Sequence, residues 1–295
     1  MLPAFIETLE QLPLLFYGLV LCLGLVIGSF LNVVIHRLPL MMDAEWRSQC
    51  RELLEIQPEP KSSTAPKMSL ATPGSHCPGC GQAIAWYQNI PLISYLLLKG
   101  RCAHCQQRIS LRYPLVELLT GLLSLLVAWR FGVSIQSLAL LPLTWGLIAL
   151  SFIDLDQQLL PDSISLPLLW LGLALSLGAV FLTPSEAILG ALVGYLSLWS
   201  FYWAFKLLTG KEGMGHGDFK LLALFGAWVG WKMVLLIILL SSLVGAIFGI
   251  GMILLRGHNR QIPIPFGPYL AIAGWICLLW GQPIAQLYLN LAGLN

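Results

Sequence analysis

Charge is what this chain has least of. Lys, Arg, Asp and Glu make up 10% of its 295 residues, against roughly 25% in a soluble globular domain. That is too little to cover a water-facing surface, and it excludes an ordinary cytosolic or secreted domain, a disordered tail and a coiled coil. A formal net charge of +2 supplies no field for nucleic acid, so no nucleic-acid partner is expected. Acids are especially few, with only five Asp in the chain. No strand–loop–helix glycine fingerprint for a nucleotide is present either. In place of charge stand 57% hydrophobic residues and a mean hydropathy of +0.80, the composition of an all-α polytopic membrane protein.

A helix crossing ~30 Å of hydrocarbon needs about 20 apolar residues. Eight runs approach that length: Leu12–Ile35, Leu118–Trp129, Val133–Ile153, Ile164–Thr183, Ala187–Phe205, Phe219–Trp231, Met233–Leu255 and Tyr269–Tyr288. The first has no Lys or Arg before it and no small-residue cleavage site after it, so it is expected to be a span rather than a cleaved signal. Between the first two runs lies a polar segment, His36–Tyr113, holding nine of the 16 basic residues. Arg37 and Arg112 abut the membrane at its ends, where positive charge sets orientation best. The N-terminus is therefore placed outside and residues 36–113 in the cytosol. Counting onward puts Asp154–Ser163, Lys206–Asp218 and Arg256–Pro263 on the cytosolic side too. Lys206, Lys211, Arg256 and Arg260 agree with that side, and Arg130 and Lys232 fall on the other. The expected organisation is a first transmembrane helix over 1–35, a cytosolic loop domain over 36–113 and a helical membrane domain over 114–295.

The loop domain has two parts. Met41–Met68 is charged and Ser/Pro-rich, a flexible or weakly helical cover. Beyond it come Cys77-Pro-Gly-Cys80 and Cys102-Ala-His-Cys105, two C-x₂-C pairs at zinc-ribbon separation. Four thiolates fill a tetrahedral shell, so the expected ion is a structural zinc rather than a catalytic one with an open position. Cytosolic thiols stay reduced, which favours metal over disulfides. The small residues after each first Cys suit a tight turn. His76 and His104 could substitute as ligands but are read as solvated neighbours, and four incidental cysteines are the plain alternative.

Four of the five Asp fall in two short membrane-edge segments, Phe152–Asp162 and Gly213–Lys220. Acids near a bilayer are costly unless they face water or perform work. Asp and Pro in loops make turns and caps; Asp162, before an apolar run, fits an N-cap, and Asp156 a solvated loop acid. Asp154 and Asp218 resist that account. Asp154 continues directly from a span. Asp218 opens a run too short to cross, which draws it into a partly dry place with Lys220 snorkelling outward. Two spans separate these acids, so the chain returns to the same face and their carboxyls can meet. Such a pair cannot ionise together readily; one keeps a proton while the other takes one from water, chemistry that hydrolyses an amide without metal. Gly213, Gly215 and Gly217 suit close approach of backbone to substrate.

Taken together these residues resemble the type IV prepilin peptidase family. The resemblance rests on Gly28-Ser-Phe-Leu-Asn-Val-Val-Ile-His-Arg-Leu-Pro39, the paired C-x₂-C motifs, Asp154–Asp162, Gly215–Lys220 and Pro263-Ile-Pro-Phe-Gly-Pro268. It implies a bifunctional, multi-pass enzyme of the bacterial inner membrane. Such an enzyme cleaves the basic leader of type IV prepilins and type II secretion pseudopilins at the cytosolic boundary, then N-methylates the new terminal residue with S-adenosylmethionine. The family's catalytic pair maps onto Asp154 and Asp218. Three rivals remain open: a transporter using edge acids for ions, a presenilin-like protease cutting within spans, and a scaffold that docks through its zinc domain.

Overall fold

The computed structural model describes residues 2–55, 68–256 and 265–291, so Pro263, Ile264 and much of the Met41–Met68 cover lie outside the described residues. It divides into two compact units, 1–133 and 134–295. The described residues are helical, with two isolated β-bridges and no strands. Each of the eight apolar runs appears as a helix.

The first unit contains α1 (Leu2–Gln11), α2 (Pro13–Leu53), a 3₁₀ turn at Trp86–Asn89, α3 (Ile93–Leu97) and α4 (Arg112–Phe131). α2 runs for 41 residues, about 60 Å at 1.5 Å per residue, roughly twice the hydrocarbon thickness. It continues through Pro39 into the segment expected to be flexible or weakly helical, which is helical as far as Leu53. α2 and α4 pack through small residues: a Cβ on Gly24 would lie 2.9 Å from the Gly121 Cα, and one on Gly28 would lie 2.7 Å from the Glu117 Cα. Small residues let helix backbones approach where lipid removes the hydrophobic drive for association.

The second unit contains α5 (Ile135–Gln157), α6 (Asp162–Leu177), α7 (Pro184–Thr209), α8 (His216–Val229), α9 (Trp231–Arg256) and α10 (Gly267–Leu291). α2, α4, α5, α7, α9 and α10 are long and apolar enough to cross a membrane. α6 has 16 residues and α8 has 14. α8 is about 21 Å long, and every residue from Leu221 to Trp228 is buried. It packs against α6, α7, α9 and α10. Gly190 of α7 and Gly226 of α8 meet so closely that either Cβ would strike the other's carbonyl. At the far end of α8 the Trp228 indole N–H donates to the Leu168 carbonyl at 2.9 Å. That bond removes a buried-donor penalty of ~1–3 kcal/mol. The helix too short to span is thus the core of its unit, and it opens on Asp218.

Candidate active site and metal centre

α5 ends with Gln158 in the left-handed conformation, its N–H donating to the Asp154 carbonyl at 2.9 Å. This stop leaves the Asp154 side chain in the last turn, 5% exposed. Its Oδ2 accepts the Gly267 N–H at 3.0 Å. Gly267 is the first residue of α10, so an unpaired helix N-terminus with its partial positive charge points at the carboxylate. Asp218 lies in the first turn of α8, 7% exposed, and its carboxylate accepts from the Gly215 N–H. The two acids are near enough for the charge of Asp154 to act on Asp218. Leu160 joins their surroundings: a Cβ on Gly217 would lie 2.8 Å from the Leu160 Cβ, and one on Gly267 would lie 3.2 Å from its Cδ2. The two acids singled out in the sequence therefore meet within one unit, buried, each facing a helix N-terminus.

The neighbouring acids behave otherwise. Asp156 is exposed on the last turn of α5. Asp162 does not cap α6: Pro161 holds the cap position, and Asp162 binds the Lys220 ammonium through both oxygens at 2.8 and 2.7 Å. Lys220 thus reaches a partner on α6 rather than simply snorkelling, and fastens the first turn of α8 to that of α6. With side chains 33% and 51% exposed, this pair contributes at most about 1 kcal/mol. Asp162→Asn is expected to lower peptide cleavage only severalfold and to shift the melting temperature slightly. A loss as deep as that of an Asp154 variant would place Asp162 in the chemistry.

The Gly210–Gly215 loop before α8 is held by Lys206, which donates to Glu212 at 2.8 Å and to the Tyr202 hydroxyl at 3.2 Å. The Tyr202, His216 and Phe219 rings pack with centroids 5.1–5.7 Å apart. The most consequential residue without a side-chain signal is Gly267, whose contribution is a backbone N–H. A Cβ there would sit 2.6 Å from the Asp154 Oδ2, so Gly267→Ala must push the carboxylate off its donor. Misplacement of a reacting group by ~1 Å costs about 10²-fold; we expect a fall in kcat of that order with KM little changed, and an unaltered kcat would remove Gly267 from the site.

In the first unit, Cys77, Cys80, Cys102 and Cys105 bring their Sγ atoms within 4.8 Å of one another. Cys77 and Cys105 are 3.7 Å apart, matching the ~3.8 Å edge of a tetrahedron with Zn–S near ~2.3 Å. The two knuckles repeat one backbone design. Cys77 N–H donates to the Gln82 carbonyl and Cys102 N–H to the Gln107 carbonyl, both at 2.9 Å. The residue needing positive φ follows the second Cys of each pair, Gly81 at 68° and Gln106 at 60°, rather than the first. N–H groups of Cys80 and Gly79 pull the Cys77 thiol down to about 6, against burial. A Gln107 N–H pulls the Cys105 thiol down as well, but burial and the three neighbouring sulfurs push it up to about 11. Four crowded thiols resist ionising together; a divalent cation reverses that balance. The cluster fits a metal by donor type, number and spacing.

Residues 22–131 match the Bacterial Peptidase A24 N-terminal domain, and residues 141–250 match the Type IV leader peptidase family. A Pseudomonas aeruginosa protein named Prepilin leader peptidase/N-methyltransferase is 57% identical over 98% of both chains. The chain belongs to the type IV leader peptidase family. Proteins of the same name from Aeromonas salmonicida and Legionella pneumophila are 57% and 46% identical over 97% and 94% of this chain, and over 98% and 96% of their own lengths. No solved structure matches it. Both aspartates of this leader peptidase lie within the second matched segment, and all four clustered cysteines lie within the first.

Proposed function

We propose that this leader peptidase removes the basic leader of prepilins and type II secretion pseudopilins with Asp154 and Asp218, and then N-methylates the new terminal residue. The observation that carries the reading is the meeting of two buried carboxyls, one held by the N-terminus of α10 and one in the first turn of α8, in a family of leader peptidases. One carboxyl, unprotonated, takes a proton from water as the oxygen attacks the scissile carbonyl; the other, protonated, donates to the carbonyl oxygen. The tetrahedral diol collapses with cleavage of the C–N bond as the first acid gives its proton to the leaving nitrogen and the second takes one back from a diol hydroxyl, which restores both acids. Cleavage of a prepilin by protein carrying Asp→Asn changes is the direct test.

The enzyme sits in the inner membrane of a bacterium, with the N-terminus periplasmic and the dyad facing the cytosol. The clustering of basic residues in 36–113 supports that orientation. A prepilin presents a cytosolic basic leader before an apolar helix, so its scissile bond lies at the same boundary. Zinc is held by Cys77, Cys80, Cys102 and Cys105, where it supplies a fold rather than a Lewis acid, since four thiolates leave no open position. S-adenosylmethionine supplies the methyl group. The division into a first helix, a metal-holding domain over 36–113 and a peptidase domain over 114–295 belongs to the same proposal.

A further inference from the structure

The Gly28–Pro39 stretch takes no part in the cleavage chemistry above. On α2, Ser29, Asn32, Val33, His36 and Arg37 recur at three- and four-residue spacing, hence on one helix face. All five line a single cavity of about 540 Å³, within the range of small-molecule sites. The knuckles and α4 supply its other walls. Glu117 of α4 is the one carboxylate among the described lining residues. It is buried and fixed by the Leu92 N–H at 2.9 Å and by the Ser29 hydroxyl. Arg37, also buried, donates to the Ser69, Leu70 and Gly74 carbonyls, so it closes the cavity rather than offering its charge. A second cavity of about 390 Å³ adjoins the first and is mainly apolar, walled by Val26, Phe30, Trp86, Ile90 and Pro91. Ser29, Val33 and Asn89 line both.

We propose that the first cavity binds S-adenosylmethionine and the second receives the apolar first side chain of the processed pilin, so that methyl transfer occurs across the Ser29–Val33–Asn89 wall. The proposal rests on the methyltransferase reading and adds its location. A sulfonium ligand is a cation with an apolar base and a polar amino-acid end. The cavity offers one buried anion, apolar surface around Tyr95 and Ile109, and amides at Asn32 and Gln107. The acceptor needs a neutral amine. An α-amino group with pKa near ~8 loses its proton to water often enough at neutral pH. Its lone pair forms the N–C bond as the C–S bond breaks, and that electron pair stays on sulfur as a thioether. The secondary amine then rests protonated. Glu117 holds the cation through charge and need not carry a proton.

The experiment uses the purified full chain in detergent with its metal. Calorimetric titration with S-adenosylmethionine is expected to show binding, weakened at least tenfold by Val33→Trp, which fills the shared wall, and by Glu117→Gln, which removes the charge. Prepilin cleavage should persist in both. Unchanged affinity in the two variants overturns the proposal. Should either variant lose cleavage as well, photolabelling of the wild type with methyl-tritiated S-adenosylmethionine decides: label within residues 29–37 or 82–117 supports the site, and label within 135–291 overturns it. Trp86→Ala should raise KM for methylation of a pre-cleaved pilin peptide without changing donor affinity; an unmoved KM overturns the acceptor half. A wild type that cleaves but binds no S-adenosylmethionine instead defeats the choice of methyl donor.

Discussion

Protein carrying Asp154→Asn or Asp218→Asn is expected to leave a prepilin intact in detergent or membranes, with cleavage down about 10³-fold or more. The size follows from removing one half of a pair that acts as a unit: general acid–base contributions run to ~10²–10⁴ each, and such losses do not divide between partners. The fold should survive. An Asn amide keeps an oxygen acceptor, so the Gly267 N–H at position 154 and the Gly215 N–H at position 218 stay satisfied. Insertion into membranes and melting temperature should therefore match the wild type. Asp156→Asn, at an exposed position, serves as the control and should remain close to fully active. Wild-type cleavage rates in either dyad variant would exclude that residue from the mechanism.

Ser in place of Cys77, Cys80, Cys102 or Cys105 is expected to release zinc, measured as metal per chain in the purified protein. The effect is large because little else holds this region. From 68 to 111 only Cys77 and Gly100 are buried, so no apolar core accompanies the two knuckles, and small domains of this kind fold on their metal. Structural zinc contributes about 10–16 kcal/mol of binding free energy in such sites, and loss of one thiolate opens the shell to water. Proteolysis of the variants within 68–111 should accelerate, while α5–α10, which carry both aspartates, keep their melting transition. Full metal occupancy after a single Cys→Ser change would show that the cluster is not the site.

Much of this was legible before any coordinates. Apolar runs identify spans because a bilayer imposes length and uniformity, and all eight emerged as helices. Cysteine spacing is informative because tetrahedral geometry permits few arrangements. Asp154 and Asp218 stood out because carboxylates are rare where solvent is scarce. Other features carry no residue-type signature. The apolar run placed the end of the first helix at residue 35, yet α2 continues to Leu53, because a helix can run on past the hydrocarbon that its apolar residues match. Asp162 resembled a cap because its true partner, Lys220, is 58 residues away. Gly267 supplies an amide hydrogen that every residue but proline possesses, so only the proximity of Asp154 reveals its use.

That amide hydrogen also orders events during synthesis. Asp154 and Asp218 both emerge from the ribosome ahead of α10, so a nascent chain holds its two acids before it holds the group that seats the first of them. The seat is completed when the last described helix threads into the bilayer and brings its leading backbone to Asp154. The seat for Asp154 is thus tied to the insertion of α10, and a nascent chain that lacks this helix carries both acids without their full setting.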